Sequence, residues 1–127
     1  MLRKVIPNLM VEDVNKTVDY YENKLGCFEL VATDPEEGEL DWAMMRSENI
    51  EIMFQSSNSM SEVIPEFAGK KSGGTFVVYV EVRDIMELYN MVKGHVDIIK
   101  DLHTTPYDMR EFFVKDMNGY ILVFAQS

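Results

Sequence analysis

Val11-Glu12-Asp13-Val14 recurs as Val82-Arg83-Asp84-Ile85, 71 residues further along the chain. Both copies read alike. An apolar run ends at an aspartate, apolar residues follow at helical spacing, and a glycine closes the segment. Behind Asp13, the side chains of Val14, Val18, Tyr21 and Leu25 share one helical face and Gly26 supplies the stop. Residues 14–25 are therefore predicted to form an amphipathic helix capped by Asp13. Behind Asp84, the apolar face is Ile85, Leu88, Tyr89 and Val92, and Gly94 ends the helix. Glu87, three positions after Asp84, completes a box-like cap with Asp in place of Ser or Thr.

Each helix is bracketed by strand signals. Upstream of the first lies a strand over 3–11, with Leu9 and Val11 on one face, Asn8 and Met10 on the other, and Pro7 marking an edge or an irregular start. Downstream come strands over 27–33, 40–46 and 49–55, with the acidic loop Asp34–Glu39 and a turn at Ser47-Glu48. The second helix is preceded by the β-branched and aromatic run 75–82. It is followed by a strand over 95–100, a loop over 101–108 and a hairpin, 110–115 and 119–125, around Asp116-Met117-Asn118-Gly119. Residues 56–74 form a polar connection with a short helical turn near Val63–Phe67. The pattern is an internal repeat. A lone β-α-β-β-β unit leaves one sheet face uncovered, which a second copy can bury. The fold class is thus α+β: one domain, residues 1–127, of two tandem βαβββ units at about 1–57 and 73–127, forming curved mixed sheets around a cleft.

The chain has 46% hydrophobic and 27% charged residues, the balance of a soluble globular protein. No stretch reaches the roughly 18 apolar residues of a membrane helix, and Met1–Pro7 lacks the apolar run of a secretory leader. A net charge of −10 disfavours a nucleic-acid partner and suits a cationic ligand, although it also serves solubility alone. The single cysteine, Cys27, cannot form an internal disulfide and fits a reducing cytoplasm; it reads as a small buried hydrophobe rather than a catalytic thiol. Gly73-Gly74 after Lys70-Lys71-Ser72 is too short to cradle a phosphate and reads as a turn, and no nucleophile-elbow spacing occurs.

The stretch Ile6-Pro7-Asn8-Leu9-Met10-Val11-Glu12-Asp13-Val14, followed by Tyr20-Tyr21 and Leu25-Gly26-Cys27-Phe28, resembles the opening of the vicinal oxygen chelate superfamily. That superfamily includes glyoxalases, bleomycin-resistance proteins and ring-cleaving dioxygenases. In the second half, Tyr107–Tyr120 is similar to the family's "W-G-x-R-E-F-x-V-x-D-P-D-G-N". Asp108, Met117 and Tyr107 depart from it, at Gly, Pro and Trp positions respectively. The resemblance implies a fold of two βαβββ units around a pocket, and commonly a homodimer.

In metal-dependent members, the first and last strand of each unit carry one ligand each, His then Glu. By the resemblance these positions fall near Ile6 or Pro7, Val77 or Val78, Met53 and Val123, all apolar. His95 follows the second helix and His103 lies in the loop before Thr104-Thr105-Pro106, so neither occupies a ligand position. No metal and no cofactor are expected. Glu51, mid-strand between Ile50 and Ile52, is either a pocket carboxylate, with a raised pKa or paired with a cation, or a solvated one. Glu111 beside Arg110 reads as a structural ion pair.

The leading functional reading is a metal-independent binding protein. It would sequester a cationic or aromatic compound, such as an antibiotic, as the bleomycin-resistance members that it resembles do. The expected pocket walls are Trp42, Met44, Met53, Tyr107, Phe112 and Val123, with Glu51 and Arg110 as polar anchors. Trp42 and Phe112 could equally be plain core. The alternative is a lyase, isomerase or dioxygenase of the glyoxalase type, with a displaced metal site or a bare acid such as Glu51. A third reading is a partner-binding module with a vestigial pocket.

Overall fold

In the computed structural model, which describes every residue from Met1 to Ser127, both repeat aspartates cap helices. Asp13 is extended and its side chain accepts a hydrogen bond from the Lys16 amide; Asp84 is likewise extended and accepts from the Glu87 amide. Each satisfies one amide that the first helical turn leaves without a partner, a contact worth about 1 kcal/mol. Helix α1 spans Val14–Asp19 and continues in a wider π-helical turn, Tyr20–Lys24. Gly26 and Gly94 follow the two capped helices with φ of 74° and 88°, the left-handed region that ends a helix without strain on a Cβ.

The chain divides into two compact units, Met1–Asn23 with Cys27–Ser72, and Lys24–Gly26 with Gly73–Ser127. The first unit holds β1 (Asn8–Val11), β2 (Glu29–Asp34), β3 (Trp42–Ser47) and β4 (Ile50–Ser56) in the order β1-β4-β3-β2. The second holds β5 (Val77–Glu81), β6 (Asp97–Thr104), β7 (Arg110–Lys115) and β8 (Ile121–Gln126) in the order β5-β8-β7-β6. In each sheet the first strand runs parallel to the last, and the other pairings are antiparallel. Helices α1 and α3 (Ile85–Val92) carry the chain from one edge of their sheet to the other.

One face of each sheet lies under its helix. In the first unit Tyr21 packs on Phe28 and Phe54, with ring centroids 5.6 and 4.7 Å apart. Strand alternation puts Leu9, Ala43, Met45 and Ile52 on the same side as Phe54, and all are buried. In the second unit Tyr89 meets Phe112, and Phe112 meets its register partner Phe124, both at 5.3 Å. Val114 and Leu122 complete that layer. Burying each such side chain contributes about 1.5–3 kcal/mol. The opposite face of each sheet, its open face, carries the residues of other parity.

Three elements differ from expectation. Residues 3–7 are not a strand: pairing begins at Asn8, since Pro7 has no amide to donate, although its carbonyl accepts from the Met53 amide. The connection holds a true helix, α2 (Ser57–Val63), capped by Ser56 and followed by a 3-10 turn, Pro65–Phe67. Only Met60 of α2 is buried, so it lacks the apolar period by which a helix is read from sequence. Strand β6 runs on to Thr104 and takes in His103; its register against β7 shifts twice, which breaks the alternation that marks a strand. No helix is long and apolar enough to cross a membrane.

Candidate functional site

The open face of the first sheet is built in registered rows. Met44 on β3 stands beside Met53 on β4, which stands beside Asn8 on β1. Trp42 pairs with Gln55, and Gln55 with Met10. Arg46 pairs with Glu51. Trp42, Met44 and Met53 are half-buried, forming an apolar platform flanked by polar side chains. Asn8 Nδ2 donates to Gln55 Oε1 at 2.9 Å, which holds one polar flank in place.

The other flank is an ion triad. Lys4 Nζ lies 2.5 Å from Glu51 Oε1, and Arg46 Nη2 lies 3.1 Å from Glu51 Oε2. The Glu51 side chain is 12% exposed, against 51% and 43% for its two partners. The Lys4 hydrogen bond, then that of Arg46, holds the Glu51 carboxyl below its usual pKa of 4.5. Glu51 is therefore a paired anion and not an acid of raised pKa. Sequence alone could not find Lys4, because it stands outside any regular element and 47 residues away.

The expected residues of the second unit do not share a face. Val123 lies on the open face, paired with Phe113 and Tyr79, and is 3% exposed. Phe112 is fully buried on the helix side, against Tyr89 and Phe124, and so belongs to the core. Arg110, two positions before Phe112, has its parity and leaves the open face with it. Tyr107 stands in the loop between β6 and β7 and is 68% exposed. The Glu111–Arg110 ion pair does not form, since neighbours on a strand point to opposite faces. Glu111 instead faces the open side, buried, and accepts a hydrogen bond from Tyr79 Oη at 2.7 Å. Tyr79 is pushed up to about 12, first by that bond to Glu111.

Burial pushes the Cys27 thiol up to about 11, so it stays protonated and is a poor nucleophile near neutral pH. A hollow of about 430 Å³ in the first unit is lined mostly by polar groups, among them Asp13, Asn15, Asp41 and Ser56. Several of these bond within the protein: Asn15 to Gly38 and Leu40, and Ser56 to Asp41.

A metal centre of the kind that the resemblance implies does not fit these side chains. Met53 and Val123 occupy last strands, Val77 and Val78 the first strand of the second unit, and Ile6 or Pro7 the approach to β1. No group of three or more His, Cys, Asp or Glu side chains is placed to hold a metal ion. His103 and Glu111 are register partners, but two donors fall short of the three or four that a divalent transition metal takes.

Comparison with known proteins bears on this geometry. A model described as the Glyoxalase/Bleomycin resistance protein/Dioxygenase superfamily matches residues 5–124. No curated protein matches the chain. Among solved structures, TioX from Micromonospora sp. ML1 is 21% identical, with 98% of each chain covered and a TM-score of 0.77. A superfamily member from Sphaerobacter thermophilus DSM 20745 is 20% identical, covering 100% of this chain and 98% of that one, with a TM-score of 0.79. A glyoxalase-related enzyme from Fulvimarina pelagi is 14% identical, covering 100% of this chain and 89% of that one, with a TM-score of 0.80. At these identities the likeness is one of fold.

Proposed function

Because the chain belongs to the glyoxalase/bleomycin resistance protein/dioxygenase superfamily, we propose that it is a metal-independent binding protein for a small aromatic or cationic molecule. The observation that carries this reading is the platform of Trp42, Met44 and Met53, half-buried on adjoining rows of the open face of the first sheet. Large apolar side chains left part-exposed side by side favour a ligand that covers them. Trp42 offers a stacking face, and the two methionines adapt to its shape. The triad Lys4–Glu51–Arg46 and the pair Asn8–Gln55 are the polar groups at the edges. Sequestration of a compound such as an antibiotic extends the same reading. Its support is the family and the absence of a donor set for metal chemistry. The family also supports a homodimer, and the single cysteine a reducing cytoplasm.

Trp42 is the sole tryptophan, so its emission reports on this face directly. Titration with planar aromatic compounds should quench or shift that emission saturably. A ligand at about 100 times its Kd should raise stability by roughly 2.7 kcal/mol. Met44→Ala and Met53→Ala should weaken binding without unfolding the protein. A divalent metal bound stoichiometrically by this chain's side chains would overturn the metal-independent reading and favour an enzyme.

A further inference from the structure

Glu111 is a charged group in an unusual position. The residue is 4% exposed, yet no lysine, arginine or histidine nitrogen lies within ion-pairing distance of its carboxylate. Its one hydrogen-bond donor is the Tyr79 hydroxyl, on Oε2. Tyr79 fills one of the roughly four lone-pair positions of the carboxylate, and the other oxygen reaches the surface without a donor from the protein. Two basic residues on the same face, Lys100 and His103, are engaged elsewhere. Lys100 Nζ sits over the Phe113 ring at 5.4 Å. His103 packs edge-on against Phe113, and its Nδ1 contacts the Asp101 carbonyl at 2.7 Å.

The surroundings of Glu111 suit an organic cation. In the registered row Glu81–Ala125–Glu111, the small Ala125 separates two carboxylates. Glu81 and Ala125 also line a hollow of about 350 Å³ with Met109 and Arg83, so space adjoins the Glu81 end of the row. Tyr79 is 47% exposed and Tyr107 68%, and both Glu81 and Tyr107 are close enough to act electrostatically on the Tyr79 hydroxyl. Exposed phenol rings beside carboxylates attract ammonium groups through the ring face and through charge. The net charge of −10 draws cations to the protein as a whole.

We propose that Glu111, with Tyr79 and Tyr107, is the anchor for an organic ammonium group, the ligand cation supplying the partner that this buried carboxylate lacks within the protein. The inference rests on the small-molecule-binding reading and narrows it to one ligand class, on the second unit.

The test is an NMR titration of the full chain with phenethylammonium and with 2-phenylethanol, its neutral analogue. The cation should bind at least about tenfold more tightly, the worth of one charge-assisted hydrogen bond, and should shift the resonances of Tyr79, Glu111 and Ala125. Glu111→Gln keeps the acceptor for Tyr79 and removes the charge, so it should abolish that preference and leave binding of the alcohol unchanged. Tyr79→Phe frees the second carboxylate oxygen and should keep the preference, which secures the test if Glu111→Gln does not fold. Equal binding of cation and alcohol to the native protein would overturn the anchor while leaving the binding reading standing. A preference that survives in Glu111→Gln, or is lost in Tyr79→Phe, would also overturn it. Binding of neither compound would overturn the anchor as well, and the binding reading would then be judged by the Trp42 titration alone.

Discussion

The two sheets have one plan and two chemistries. Strand order, the parallel pairing of first with last strand and the capping aspartate recur in both units. The helix-covered faces are both close-packed aromatic and aliphatic layers. The open faces have diverged. On the first, Glu51 sits between Lys4 and Arg46, so its charge is balanced from within. On the second, Glu111 is more deeply placed and has only a phenol. Topology dictates the covered face, because a strand under a helix must be apolar on that side. It leaves the other face free to vary, and the proposed recognition chemistry is placed there.

The largest effect should come from setting the two faces of one strand against each other. Phe112→Ala opens a cavity in the helix-side layer and should cost about 3–5 kcal/mol in urea unfolding. Phe113→Ala, on the open face and half-buried, should cost less than half as much. Equal costs would show that the parity assigned to β7 is wrong. The capping aspartates come next: Asp13→Ala and Asp84→Ala should each cost about 1 kcal/mol, and nearly equally. A large inequality would confine the repeat to sequence and topology, without an energetic counterpart.

A smaller effect depends on pH. The folded pKa of Glu51 lies below its ordinary 4.5, so its ion triad contributes stability above that value and loses it as pH falls through the folded value. The difference in Tm between the native protein and Glu51→Gln should therefore be present at neutral pH and shrink progressively as pH falls below 4.5. A difference that stays constant through the acid range would mean that Glu51 acts by packing and not by charge.

What could be read in the sequence follows from how local each signal is. The caps at Asp13 and Asp84, the glycine stops and the apolar faces of α1 and α3 lie within a few residues of one another. So does the turn at Asp116, whose carboxylate accepts from the Asn118 and Tyr120 amides. Strand parity in β3 and β4 was legible too, which is why Trp42, Met44, Glu51 and Met53 fall on one face as the pattern implies. Helix α2 was hidden by its serines, and the end of β6 by two register shifts. The face of Phe112 was not legible, because nothing local distinguishes it from Phe113; the contact with Tyr89 decides it. Likewise the partners of the two carboxylates are remote, Lys4 from Glu51 by 47 residues and Tyr79 from Glu111 by 32.

The contrast between a balanced and an unbalanced carboxylate can be measured directly by thermal unfolding of Glu51→Gln and Glu111→Gln at neutral pH, without ligand. Glu51→Gln strands two cations and should melt below the native protein. Glu111→Gln removes a buried charge that lacks a counter-ion and should melt at or above it. If Glu111→Gln is destabilised as much as Glu51→Gln, the protein already compensates Glu111, and the asymmetry between the two faces does not exist.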